Sequence, residues 1–177
     1  MYRINDLVKF DKKLYHSGDL ANLWQISNKN TLYTTIKRYV KRGILVPIYK
    51  GLYSTVLLNQ INPLELGKAI AHSYTYLSTE SVLVQNGIIF QSINVYTFIA
   101  AKPKKVTVGE MGYVYRKMRP EYLFNSAGII ENDGLLTATT ERAVADLLYF
   151  NPKYFFDGYD RIDWSRVDQI KKEVGYQ

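Results

Sequence analysis

The chain has 177 residues and a net charge of +7, and its lack of cysteine excludes disulfide scaffolds, thiolate metal sites and thiol catalysis. The opening residues lack the apolar stretch of a signal peptide and no run of about 18 apolar residues occurs, so we expect a soluble cytoplasmic protein with no membrane partner. Residues 1–58 hold ten Lys or Arg against three acids, whereas residues 59–177 hold thirteen of each, and so local a basic block is typical of nucleic-acid-binding modules.

The first two predicted elements are helices. From Ile4 to Tyr15, apolar residues recur at helical spacing with only Asp11 between them, which predicts a first helix with one buried stripe. A cap within residues 17–19 then starts a short second helix that ends near Ile26. The polar residues that follow form a turn.

A third helix is predicted from Thr31 to Arg42. Its apolar residues lie within about 100° of one another and should pack inward; they are Leu32, Ile36, Tyr39 and Val40. The opposite face carries cations and hydrogen-bonding side chains and no acid, which suits contacts to phosphates and base edges. Its members are Asn30, Thr34, Lys37, Arg38 and Lys41. We interpret this segment as a recognition helix.

A β-hairpin is predicted after the third helix. Gly43 ends the helix, and two β-rich runs, residues 44–49 and 52–56, flank a tight turn at Lys50-Gly51. Pro47 lacks an amide donor, so its strand should lie at a sheet edge. Three helices followed by a two-stranded wing predict an N-terminal winged helix-turn-helix of residues 1–58.

The predicted DNA-binding residues lie on the third helix, at its two ends and at the tip of the wing. They are Lys29, Asn30, Thr31, Thr34, Lys37, Arg38, Lys41, Arg42 and Lys50. In such modules the third helix enters the major groove, and the wing lies along a neighbouring phosphate strand or minor groove. Alternatively, the helix-turn-helix binds a protein and its lysines form a solvated face. The missing acids on the third helix favour DNA.

Residues 59–177 are predicted to form a mixed α/β domain, which makes the whole chain α+β. The helix starts are marked by Asn62-Pro63, by Glu80 after Ser78-Thr79, by Thr139 or Thr140, and by Asp163 before a final helix of residues 164–174. Strands are predicted at residues 88–90, 95–101 and 112–118, with Lys102 to Lys105 as a turn, and a hairpin joins residues 129–130 to residues 135–136.

An enzymatic function has little support in the sequence. There is no glycine-rich phosphate loop and no close metal-ligand spacing, and the only histidines are His16 and His72. Glu80, Glu141 and Asp146 could be paired carboxylates, but helix caps and helix ion pairs use the same residue types. We therefore predict no catalytic residue, no metal site and no cofactor. A hydrolase or transferase in the second domain is the alternative.

Four strings of the chain together resemble one known family. They are RGILVPIYKGLYS (residues 42–54), YLSTESVLVQNGI (residues 76–88), VYTFIA (residues 95–100) and ATTERAVADLL (residues 138–148). In identity and order they resemble the AbiEi-type antitoxin family. The resemblance spans most of the chain.

The resemblance implies a transcriptional repressor that acts as the antitoxin of a type IV toxin-antitoxin system and represses its own promoter. Its partners would be that double-stranded DNA and a nucleotidyltransferase-like toxin, which is opposed without a stable complex. The DNA role would fall on the third helix and on the wing around Lys50-Gly51, and no catalytic residue is transferred.

Two questions about binding stay open at this point. Helix-turn-helix proteins read inverted repeats as a homodimer on DNA, or bind as single copies. The chain could also be a protein-interaction module with a non-specific DNA anchor, because it holds 16 tyrosines and its larger domain is neutral. That alternative predicts similar affinity for any duplex.

Overall fold

The structure, a computed structural model, describes Leu7, residues 12–92 and residues 94–176. The chain divides into two compact units between Ile70 and Ala71, and both mix helices with strands, so the predicted α+β class is confirmed. None of the helices in these described ranges is long and apolar enough to cross a membrane.

The boundary between the units lies later than the one predicted after residue 58. The helix of residues 63–71, predicted to open the second domain, falls almost entirely within the N-terminal unit. One contact holds the helix to this unit, because Nε2 of His16 lies 2.9 Å from the carbonyl oxygen of Ala69, a normal hydrogen-bond distance.

The described part of the N-terminal unit combines helices with a three-stranded antiparallel sheet. The helices are α1 (Ser17–Leu23), α2 (Lys29–Lys41) and α3 (Pro63–Ala71), and the strands are β1 (Leu14–His16), β2 (Val46–Tyr49) and β3 (Leu52–Ser54). The sheet order is β1-β3-β2, which leaves β2 at an edge. Pro47 lies on β2, so its predicted edge position is confirmed.

The core of this unit lies where α1 and α2 pack together. Its most deeply buried members are Leu20, Ile36 and Leu45. The Trp24 ring stacks on the Tyr39 ring with centroids 5.1 Å apart. Aromatic pairs of this kind contribute about 0.5–1.5 kcal/mol beyond their burial, so this stack fixes α2 against α1.

The predicted first helix is wrong at its C-terminal end. Leu14 and Tyr15 belong to β1, where Leu14 pairs with Ser54 of β3. Ladder hydrogen bonds to β3 satisfy the backbone groups of this short segment, and helical periodicity cannot anticipate a partner so distant in sequence. Most of the earlier predicted helix, Ile4 and residues 8–11 included, lies outside the described residues.

The other predicted elements of this unit are confirmed with shifted ends. α1 stops at Leu23 rather than near Ile26, and α2 begins at Lys29 rather than Thr31. β2 and β3 form the expected antiparallel hairpin around Lys50-Gly51. Gly51 has φ +71°, a backbone conformation that residues with a Cβ rarely adopt.

The described C-terminal unit is built on a six-stranded mixed sheet with the order β6-β7-β5-β4-β9-β8. Its strands are β4 (Thr75–Leu77), β5 (Val95–Ala100), β6 (Lys104–Val108), β7 (Met111–Lys117), β8 (Ile129–Asn132) and β9 (Leu135–Ala138). Its helices are α4 (Glu80–Gln85), α5 (Pro120–Leu123), α6 (Thr140–Phe150) and α7 (Trp164–Val174). The pairs β4–β9 and β5–β7 are parallel.

Most local signals of this unit are confirmed. Thr139 and Asp163 cap α6 and α7, their side chains accepting from the amides of Arg142 and Arg166. The strand predicted at residues 88–90 is wrong, because those residues form no strand after the turn that ends α4; Ile88 and Ile89 are buried and Phe90 is exposed. Lys104 and Lys105 begin β6 instead of forming a turn.

A buried ion pair lies at the centre of the C-terminal unit. Nε of Arg142 donates to Oδ1 of Asp146 at 2.8 Å, and both side chains are fully buried. The other carboxylate oxygen of Asp146 accepts from Ser78 at 2.7 Å, and Tyr176 also donates to Asp146, at 2.5 Å. The Arg142 guanidinium donates further to the hydroxyl of Tyr76 and to three backbone carbonyls. Each charge is thus compensated by hydrogen bonds.

Candidate nucleic-acid interface

The start of α2 is set by a side-chain cap. Oδ1 of Asn28 accepts from the amide of Thr31 at 3.0 Å and from its hydroxyl at 3.3 Å. The cap therefore places Lys29, Asn30 and Thr31 in the first helical turn, where all three are exposed. Thr31 is therefore an exposed residue whose hydroxyl also takes part in the cap, through its hydrogen bond to Asn28.

The rotation of α2 is set by its apolar stripe. Leu32 and Ile36 are buried, and Tyr39 and Val40 are half-buried against the same core. The predicted orientation of the helix is therefore confirmed. The exposed face opposite this stripe holds Asn30, Thr34, Lys37, Arg38 and Lys41.

Arg42 and Lys50 lie outside the helix but in the same unit. The amide of Arg42 donates to the carbonyl of Arg38 at 3.1 Å, so Arg42 follows directly on the last turn of α2. Lys50 is exposed in the turn between β2 and β3. That turn is held to α1, because the amide of Ser17 donates to the carbonyl of Gly51 at 2.8 Å.

Among the residues that the structure describes, the cations of this surface have no compensating carboxylates. Between Asp19 and Glu65 the sequence has no acid. Within the described ranges, no ion pair involves the six exposed cations of this stretch; they are Lys29, Lys37, Arg38, Lys41, Arg42 and Lys50. Lys12 differs, because its Nζ lies 2.9 Å from a carboxylate oxygen of Asp19. The positive potential of the six cations is therefore available to an external anion.

Tyr33 is a surface residue of α2 that the sequence analysis missed. Its side chain is 53% exposed. Tyrosine often packs into protein cores, so the residue type alone does not indicate a role on the surface. Its position four residues after Lys29 and four before Lys37 is the signal that could have found it, since such residues share one side of a helix.

The three carboxylates considered for catalysis occupy separate structural roles. Glu80, the first residue of α4, accepts a hydrogen bond from the Arg116 guanidinium. Asp146 lies in the buried ion pair with Arg142. Glu141 lies in the first turn of α6, where acids are favoured by the helix dipole. No group of three or more His, Cys, Asp or Glu that could hold a metal ion occurs among the residues the structure describes.

Comparison with known proteins shows that a solved structure has a similar fold. No protein-family model matches the chain, and no curated protein matches it. The crystal structure of the RV2827C protein from Mycobacterium tuberculosis is similar, with a TM-score of 0.58 and 11% sequence identity. The match covers 98% of this chain and 73% of that one. At this identity the likeness concerns the fold alone.

Proposed function

We propose that the protein is a sequence-specific DNA-binding transcriptional repressor whose N-terminal unit is a winged helix. In this proposal α2 is the recognition helix and the β2–β3 hairpin is the wing. The observation that carries it is the set of six exposed cations on α2, at its end and at the hairpin turn, for which no described residue provides a carboxylate partner. A surface of that kind fits the phosphate backbone of DNA.

The side chains on the exposed face of α2 are suited to two kinds of contact with DNA. An α-helix fits the major groove of B-DNA, which is about 12 Å wide. Asn30 and Arg38 carry side chains that form paired hydrogen bonds to adenine and guanine edges, so we assign them to base reading. Lys37 and Lys41, and Lys50 on the hairpin, are assigned to phosphates, because a lysine ammonium acts as a point charge.

The resemblance to the AbiEi-type family extends the proposal to an antitoxin role. In that role the protein acts in the cytoplasm, represses its own promoter and opposes a nucleotidyltransferase-like toxin without binding it stably. Co-expression with the toxin should then restore growth, while affinity purification of either protein should not recover the other. A stable complex would contradict the type IV assignment.

A protein-interaction module with a non-specific DNA anchor is the second candidate. Exposed aromatic side chains on the C-terminal unit favour it, since aromatic residues are enriched at protein interfaces. Phe90, Phe155 and Tyr159 are 64%, 81% and 57% exposed. This candidate predicts nearly equal affinity for every duplex.

A salt-dependent titration distinguishes the two candidates. We expect the purified protein to bind its own upstream DNA at least about a thousandfold more tightly than a scrambled duplex of equal length. If the five cations other than Arg38 contact phosphates, the logarithm of the binding constant should fall with the logarithm of salt concentration with a slope of about −4.5. Fluorescence anisotropy at four salt concentrations measures both quantities.

Each candidate function predicts a different result of this titration. Equal weak binding to both duplexes would reject the sequence-specific repressor and support the non-specific anchor. A slope near zero would reject phosphate contacts by these five cations. A duplex in which one half of any inverted repeat is scrambled then shows whether a homodimer or a single copy binds.

A further inference from the structure

Three exposed side chains follow one another in a row along one flank of α2. Lys29, Tyr33 and Lys37 follow one another at intervals of four residues, which places them on one side of the helix about 6 Å apart. All three are exposed. In the described part of the chain the hydroxyl of Tyr33 has no hydrogen-bond partner, so it is free to donate to an external acceptor.

This flank lies at the border between the buried stripe of α2 and its exposed face. A helix turns by about 100° per residue, so Tyr33 lies between the buried Leu32 and Ile36 on one side and the exposed Lys37 on the other. The ring of Tyr33 therefore lies at the edge of the exposed face of α2.

The position of the row determines what it can reach on DNA. With α2 in the major groove, which is about as wide as a helix, the edge of its exposed face lies against the phosphate strand that borders the groove. Tyrosine hydroxyls are among the groups that donate to phosphate oxygens in protein–DNA complexes. The Lys29 and Lys37 ammonium groups, one on each side of Tyr33, would draw the same strand towards the row.

We propose that Tyr33 binds a backbone phosphate of duplex DNA, as the central member of the row Lys29, Tyr33 and Lys37. The inference rests on the proposed DNA-binding function and adds to it a neutral hydroxyl donor that positions the phosphate strand beside the recognition helix. As a phosphate ligand, Tyr33 contributes to the affinity for every duplex and carries no sequence information.

The variant Tyr33→Phe tests the proposal, because it removes the hydroxyl and keeps the ring. We expect it to bind both the upstream DNA and the scrambled duplex about tenfold more weakly than the unchanged protein, as for a lost hydrogen bond to a charged group. The salt slope should stay unchanged, because a neutral hydroxyl displaces no counterion. Lys37→Ala should also weaken binding and should reduce the slope by about 1.

Tyr159→Phe is the matched control. Tyr159 is exposed to a similar extent but lies in the C-terminal unit, so its variant should bind both duplexes like the unchanged protein. Equal thermal midpoints for the two Phe variants would show that each remains folded.

The readouts separate failure of this inference from failure of the proposed function. Unchanged binding by Tyr33→Phe, with weakened binding by Lys37→Ala, would overturn the role of Tyr33 and leave the DNA-binding surface in place. Weakened binding to the upstream DNA alone would also overturn it, because Tyr33 would then contact a base. Unchanged binding by both variants would overturn the DNA-binding surface itself.

Discussion

Alanine at Lys37, Arg38 and Lys41 together is expected to weaken binding to the upstream DNA by about a hundredfold or more. Each phosphate or base contact of this kind contributes about 1–3 kcal/mol. All three side chains are exposed, so their removal leaves the core of the N-terminal unit untouched. Anisotropy titration at constant salt measures the loss, and the thermal midpoint of the variant should remain close to that of the unchanged protein.

A charge-matched variant separates local contact from overall charge. Alanine at Lys153, Lys171 and Lys172 removes the same three charges from the C-terminal unit. If the α2 surface binds DNA directly, this control should lose less than about tenfold, because it keeps every cation of that surface and salt largely screens exposed charges that make no direct contact. Full-strength binding by the Lys37, Arg38 and Lys41 variant would reject α2 as the recognition helix.

Arg142→Ala is expected to lower the free energy of unfolding of the C-terminal unit by about 3–5 kcal/mol. Removing one partner of a buried ion pair leaves the other charge uncompensated in a low-dielectric interior. Here the variant would remove the cationic partner of Asp146, and it would remove one hydrogen bond each from the hydroxyl of Tyr76 and from three backbone carbonyls. Urea denaturation followed by far-UV circular dichroism measures the change.

Two further variants test the origin of this effect. Arg166→Ala removes a largely exposed ion pair with Glu173, so it should cost less than about 1 kcal/mol. Asp146→Ala combined with Arg142→Ala should cost less than the sum of the single variants, because the two side chains share one network. A loss below about 1 kcal/mol for Arg142→Ala alone would show that the network contributes little to stability.

The sequence alone predicted the elements that local interactions determine. The rotation of α2 follows from its apolar stripe, the β2–β3 turn from Lys50-Gly51, and the starts of α6 and α7 from Thr139 and Asp163. Each of these signals acts within a few residues of chain, through side-chain periodicity, a left-handed turn position or a capping hydrogen bond. The six cations were likewise identified from the sequence, because the absence of acidic residues between Asp19 and Glu65 can be seen there without knowledge of the fold.

Only the tertiary structure determined the features that depend on distant partners. Leu14 to His16 became a strand because β3 offers them a ladder, and α3 joined the N-terminal unit, where His16 reaches Ala69. The exposure of Tyr33 depends in the same way on what packs around α2. Strand pairing and burial are set by contacts between residues far apart in the chain, so a local pattern can indicate a segment's preference without identifying its neighbour.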